Sequence, residues 1–231
     1  MCYNALVSQH AKNLGFRYTA RIQIDMFDDL FKARLDGSGA KIPRAMEAAF
    51  LESPKSMPEL RIAKNIGAFH AAEIKDARDL IATQGKRLAA AEKSLVGKVT
   101  KKAQNDQRIA SDKIEKAEAK IARIEEGKIG ETDSRIWPGQ YAPLIVNEKG
   151  ERTIQPFRYF LRPRGQNADF DRKYNGSYNM RRDRLTEVMW WKSIFGHNHG
   201  AMEIKAFFEN VALSKTRKLK NGEEDSDLFL L

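Results

Sequence analysis

The sequence predicts an α+β protein, a β-rich domain interrupted by a long antiparallel helical hairpin. Three observations carry this. Short strand-like runs lie in the outer parts of the chain: Cys2 to Val7, Tyr141 to Val146, Thr153 to Leu161 and Met202 to Glu209. Between about Glu59 and Glu126 proline disappears, aromatics nearly vanish, and Ala, Lys, Glu, Arg and Ile dominate. Within that stretch apolar residues recur every seven positions, the period of a coiled-coil seam. The expected units are therefore residues 1–58, a helical insertion over 59–127, and a continuation of the first domain over 128–231.

Taken in order, Cys-Tyr-Asn-Ala-Leu-Val at Cys2 to Val7 reads as a strand. Arg21 to Ile24 reads as extended. Asp25 suits a helix N-cap with Asp28 acidic in the first turn, and Met26, Phe27, Leu30, Phe31 and Leu35 recur at helical spacing before Gly37 stops the helix. Pro43 suits the first turn of a short helix carrying Ala45, Met46, Ala49 and Phe50. Pro54 and Pro58 then break the chain.

Two seams occupy the insertion. Ile74, Ile81, Leu88 and Leu95 stand seven apart; Ala110, Ile114, Ala117, Ile121 and Ile124 alternate fours and threes. Continued by sevens from Leu95, the first seam meets Lys102, Ile109, Lys116 and Arg123, so the phase shifts across the polar stretch Gly97 to Gln107. Two helices folded back on each other satisfy this; one bent helix is the alternative. The mixed charges read mainly as a solvated face, and the arm offers a surface for self-association, a protein partner or nucleic acid.

After Gly130 the chain becomes sheet-like. Tyr141 to Val146 and Thr153 to Leu161 flank a turn signal, Asn147-Glu148-Lys149-Gly150, and make a hairpin. Gly165 to Gly176 reads as a polar loop. Tyr178 to Arg184 is a dense polar cluster, and Leu185, Val188, Met189 and Lys192 suggest a short helix with Trp190 and Trp191. Met202, Ile204, Ala206 and Phe208 then alternate as one face of a strand. The tail from Ser214 to Asp227 is charged, and Leu228 to Leu231 reads as the start of a further strand.

Composition narrows the function. The chain has 231 residues, 42% hydrophobic, with a formal net charge of +10 and an isoelectric point of about 9.6. That balance favours an acidic partner, nucleic acid above all, over a merely basic soluble protein. A single cysteine excludes an internal disulfide and points to a reducing compartment. No run approaches the ~20 apolar residues of a membrane span, and Met1 to Val7 has no secretory signal pattern. The expectation is a cytoplasmic protein. His197-Asn198-His199 lacks the further ligands of a metal or nuclease site, so neither a metal nor another cofactor is expected.

That one cysteine is Cys2, whose small side chain permits removal of Met1. Removal leaves an α-amine and a thiol on adjacent carbons. The amine's reference pKa near ~7.7–8.0 keeps a nucleophilic fraction at neutral pH; the thiol, near ~8.5, is a strong nucleophile once ionised. Toward an aldehyde the amine forms a Schiff base and the thiol closes a thiazolidine.

Further pieces then fall in order: Ile136-Trp137-Pro138-Gly139-Gln140-Tyr141-Ala142-Pro143, Tyr159-Phe160-Leu161-Arg162-Pro163, Tyr178-Asn179-Met180-Arg181-Arg182-Asp183 and Ala206-Phe207-Phe208-Glu209-Asn210. With Met-Cys at the start, they resemble the SOS-response-associated peptidase (SRAP) family over Met1 to about Leu51 and Gly130 to Val211. The resemblance implies a β-rich, barrel-like α+β domain that binds single-stranded DNA and crosslinks covalently to abasic sites. It implies Cys2 as nucleophile and Asn179 hydrogen-bonding near the reacting amine and sugar. It implies Glu209 as general acid/base, with Arg181 and its neighbour Arg182 on the DNA backbone. Tyr159 would stack on a base, and Arg162, in the same motif, would touch DNA. A nucleoid-associated role in the DNA-damage response follows.

The departures are Tyr3-Asn4 for Gly-Arg, Tyr159-Phe160 for Trp-Gly, Met180 for Ala, Asp183 for Glu, Ala206 for Gly and Asn210 for Trp. The family's His-Asp-Arg-Met-Pro motif belongs well beyond Glu209, so the sequence is expected to lack the later strands and their histidine. Three functions stay open: a covalent abasic-site sensor, a plain nucleic-acid-binding protein in which Cys2 is inert (a truncated, inactive homologue included), and an N-terminal-nucleophile peptidase.

Overall fold

The computed structural model describes residues 2–163, 165–174, 178, 184–197, 199–215, 217–218 and 227–230, with the main chain alone described for Cys2, Tyr3, 209–211, Leu213 and 227–230. Among these residues the protein is mixed α+β, with seven α-helices and two four-stranded sheets. It divides into two compact units, one of residues 1–63 and 129–231, the other of 64–128.

The first sheet runs β3–β1–β7–β8, entirely antiparallel. Its strands are β1 (Cys2–Val7), β3 (Arg135–Ile136), β7 (Ile204–Ala212) and β8 (Asp227–Leu230). The amino-terminal strand is thus central, held by segments about 130 and 200 residues away. The apolar run at Leu228 is paired backbone: Glu209 stands opposite Leu230 and Val211 opposite Leu228. Strand β7 begins two residues later than its sequence alternation suggests, and Ile204, expected on the apolar face, is half exposed.

The second sheet runs β2–β5–β4–β6, from β2 (Arg21–Ile22), β4 (Tyr141–Glu148), β5 (Glu151–Arg158) and β6 (Gly200–Ala201). The turn between β4 and β5 places Lys149 at φ 53° and Gly150 at φ 89°. Two successive left-handed residues give the twist that a two-residue hairpin needs, and the Asn147 side-chain oxygen accepts from the Gly150 N–H at 2.9 Å. Strand β5 ends at Arg158 rather than Leu161 because the chain bends there: Tyr159 and Gly139–Gln140 exchange main-chain bonds outside the regular ladder. Gly200 is closely packed: a Cβ there would lie 3.0 Å from a Leu144 methyl and 3.2 Å from one of Val146, so those side chains would have to shift. Ala5, Val7 and Ile136 of the first sheet and Ala142 of the second form a buried cluster, with Leu144, Tyr159 and Met202 packed against it.

Helix α1 (Ala11–Tyr18) has little sequence signal; only Ala11 and Leu14 are buried and Phe16 is exposed. Helix α2 (Ile24–Leu35) is capped at Gln23, not Asp25, which lies inside the first turn. Asp28 instead accepts from Arg61 at 2.7 Å. Helix α3 (Arg44–Leu51) follows Pro43 as cap. Phe27, Phe31 and Phe50 pack together with ring centroids 5.2 and 5.6 Å apart. Beside them Arg34 and Glu47 form an ion pair with both side chains 5% exposed. Two short helices, α6 (Asp169–Lys173) and α7 (Met189–Lys192), complete the unit; α7 is shorter than the stretch from Leu185 suggested.

The insertion is α4 (Met57–Gly97) and α5 (Lys101–Glu126). Pro58 does not break the chain; it sits in the first turn of α4, where a missing N–H costs nothing. Ser56 and Glu59 cap that turn reciprocally, at 3.2 and 3.4 Å. Thr100 caps α5 by accepting from the Ala103 N–H, and Gly127 ends it at φ 65°. Ion pairs Glu73–Lys120 and Arg87–Asp106, at a common antiparallel register, require the two helices to run antiparallel, which excludes one bent helix. The turn lies at residues 98–100, inside the polar stretch. The buried seam is largely alanine: Ala77 and Ala91 on α4, Ala103, Ala110 and Ala117 on α5. Among the described residues no helix is long and apolar enough to cross a membrane.

Candidate functional site

The register of β1 against β7 places Cys2 opposite Glu209. A bulge follows, since the next pair is Asn4 with Phe208. Two residues singled out separately in the sequence, 207 positions apart, are thereby cross-strand neighbours on the main chain. Asn179, Arg181 and Arg182 lie outside the described residues.

The next rung inward is built around a cation. Asn4 is 1% exposed, and its side-chain oxygen accepts from Arg135 Nε at 2.5 Å. The Arg135 guanidinium lies 4.1 Å from the Phe208 ring centre and 4.8 Å from that of Trp137. Stacking on aromatic faces holds a guanidinium without discharging it. Asn4 stands out in the sequence only as a departure from the family pattern, and its contact with Arg135 does not emerge there, because it depends on β1 pairing with β3, with Leu6 opposite Arg135.

At its other end the same strand pair carries a second carboxylate. Glu203 accepts from the Ser8 hydroxyl, the Tyr18 hydroxyl at 2.6 Å and Arg17. These donors, Ser8 and then Tyr18 before Arg17, hold it at a pKa of about 2, well below the usual carboxylate range. Its lone pairs are committed to joining β1, α1 and β7, so this carboxylate is structural.

Tyr159 and Arg162 occupy the segment that follows β5. Tyr159 packs against the cluster containing Ala5 and Val7, edge-on to Tyr178 at 5.7 Å. It lines a cavity of about 260 Å³ together with Phe160, Leu161, Tyr178, Trp191 and Met202. Trp191 is buried, and Trp190 stacks on it at 4.2 Å. Arg162 is paired: its Nε lies 3.0 Å from Asp171 Oδ1 and its Nη2 also meets that carboxylate. Arg158 Nη2 reaches the same carboxylate at 2.7 Å. Arg162 first, then Arg158, lowers the Asp171 pKa to about 2.

Among the described residues no group of three or more His, Cys, Asp or Glu side chains could hold a metal ion. No family model, curated protein or solved structure matches this chain.

Proposed function

We propose that the protein binds single-stranded DNA and couples covalently to abasic sites through Cys2 once Met1 has been removed, as a nucleoid-associated factor of the DNA-damage response. The observation that carries this reading is the register that sets Glu209 opposite Cys2. In the proposed reaction the Cys2 α-amine adds to the aldehyde carbon of the open deoxyribose. A proton moves onto the resulting hydroxyl, water leaves, and a Schiff base forms. The Cys2 sulfur then adds to that carbon, and its proton passes to the nitrogen. One C–N and one C–S bond form, and the aldehyde oxygen departs as water. Glu209, one strand away, is the proposed carrier of these protons. The resemblance to the SRAP family adds Asn179 near the reacting amine and Arg181 and Arg182 on the DNA backbone.

The Arg135 guanidinium, one rung from Cys2, supports the reading. It is hydrogen-bonded to Asn4, the position at which the family carries arginine, so a cation is brought there from β3. The net charge of +10 is consistent with such a partner.

The test is a denaturing gel and an intact mass. Protein whose amino-terminal residue is verified as Cys2 is incubated with single-stranded DNA carrying one abasic site, beside intact DNA and a Cys2→Ala variant. The expected result is a heat-stable adduct, seen only with the lesion and Cys2, with the mass of protein plus DNA less one water. Salt-sensitive binding that Cys2→Ala leaves unchanged, with no adduct, would replace this reading by plain nucleic-acid binding.

A further inference from the structure

The cluster at Asp171 has more cation than its carboxylate neutralises. Two guanidiniums, Arg158 and Arg162, converge on one carboxylate, which leaves a formal charge of +1. The carboxylate is fixed in place from behind. Asp171 lies on α6, and the adjacent Phe170, 9% exposed, packs edge-on against Trp190 at 5.5 Å and at a tilt against Tyr174 at 4.6 Å. The arginines sit at the end of β5 and just beyond it. Between them in sequence, Tyr159, Phe160 and Leu161 line the 260 Å³ cavity, as does Arg158 itself. The Arg158 guanidinium lies 5.1 Å from the Phe160 ring centre.

A guanidinium fork receives a carboxylate and a phosphate in the same bidentate geometry. Aromatic faces beside such a fork suit a flat base joined to its phosphate. We infer that the aromatic cavity and the Arg158–Arg162 pair form a nucleotide subsite for single-stranded DNA, in which Asp171 occupies the place of the phosphate until DNA displaces it. The base enters the cavity beside Tyr159 and Phe160, and the phosphate takes the arginines. This subsite rests on the single-stranded-DNA reading above and adds its regulation: DNA competes with an internal carboxylate, so weak or badly placed strands are rejected.

The experiment is fluorescence anisotropy with a labelled, intact oligothymidylate across a salt series, on the full chain. Asp171→Asn keeps the shape of the side chain and removes its charge. It should bind about five- to tenfold more tightly than wild type, the effect of freeing one charge-assisted interaction. The dependence of log affinity on log salt should stay close to that of wild type, because the same phosphate is neutralised in both complexes. Asp171→Glu keeps the charge and should stay within about twofold of wild type. The double variant Arg158→Gln/Arg162→Gln should bind more weakly with a shallower salt slope, and adding Asp171→Asn to it should restore nothing.

If Asp171→Asn folds normally and binds no more tightly, the inference is overturned. If Asp171→Asn does not fold, the double arginine variant decides: unchanged affinity and slope in a folded protein overturn it equally. Wild-type protein that binds and crosslinks abasic DNA while these variants leave affinity untouched sinks the subsite alone. Wild-type protein that binds no single-stranded DNA sinks the function reading and the subsite with it.

Discussion

In the helical arm the ion pairs join residues close in sequence: Arg87 to Asp106 spans 19 positions and Arg78 to Glu125 spans 47. In the sheet unit Ser8 reaches Glu203 across 195 positions and Arg17 reaches it across 186. The difference lies also in exposure. The arm's paired side chains are 27 to 66% exposed, so each contributes little on its own and the arm's stability is spread over repeats. The sheet unit has exposed pairs as well, such as Arg21–Glu151 and Lys32–Asp36, but it also holds the buried Arg34–Glu47 pair and the mostly buried Glu203 carboxylate, where the loss of one partner strands the other. The arm should therefore tolerate substitution at its charged positions, and the sheet unit should not at its buried ones.

The largest effect is expected at the Arg34–Glu47 pair, with both side chains 5% exposed between α2 and α3. Glu47→Gln leaves a buried guanidinium without its counter-charge and should cost about 3–5 kcal/mol, as breaking buried pairs does. Glu73→Gln in the arm, which removes the partner of Lys120, should cost less than about 1 kcal/mol. Urea unfolding of both variants, followed by tryptophan fluorescence for the sheet unit and by helical circular dichroism for the arm, measures the contrast. Equal losses at the two sites would break it.

The same contrast explains what the sequence made legible. The arm is written locally: seven-residue spacing, absence of proline and a polar stretch are each visible within a window of a few turns, so the helices and the turn between them can be read off. The strands were visible as apolar runs, but their partners were not, because no local pattern says that Cys2 pairs with Glu209 rather than with some residue of β4. Register in a sheet is decided by packing across the whole unit. Charges were the least legible. Arg34, Glu47, Asp171 and Glu203 look like any solvated residue in sequence, and only the tertiary fold buries or pairs them. Cys2 was an exception, since its chemistry depends on position and residue type alone.

A second, smaller effect should appear with pH. The Glu203 carboxyl titrates near 2 in the folded protein, against an ordinary value of 4.5. A lowered folded pKa stabilises above the unfolded value and is lost as the pH falls. The contribution is therefore complete above about pH 5.5 and disappears as the pH approaches 2. Glu203→Gln should cost on the order of 2 kcal/mol at pH 7, and this difference from wild type should shrink steadily between pH 5 and pH 3. Thermal unfolding at matched ionic strength checks it. A deficit that is the same at pH 7 and pH 3 would mean that Glu203 acts through shape rather than charge. The arm's Glu73→Gln is the control, since its small effect at pH 7 leaves little to lose in acid.

The smallest effect sharpens the comparison from the other side, because the arm contains one buried polar group of its own. Gln84 is 8% exposed on the seam between Ala77 and Ala91, and its Oε1 meets no donor among the described residues. The register implied by Glu73–Lys120 and Arg87–Asp106 sets it near the level of Ala110 on α5. An unsatisfied carbonyl at such a place is a cost that leucine would remove, so Gln84→Leu should stabilise the arm by about 1 kcal/mol. A lone polar residue in an apolar seam also opposes shifted pairings and pairing with a second copy. The variant should therefore melt higher while showing a larger self-association by light scattering at raised concentration. Higher stability without association would leave Gln84 as a simple flaw in the seam. Lower stability would show that its side chain is hydrogen-bonded in solution, and the arm would then share with the sheet unit a dependence on one buried polar contact.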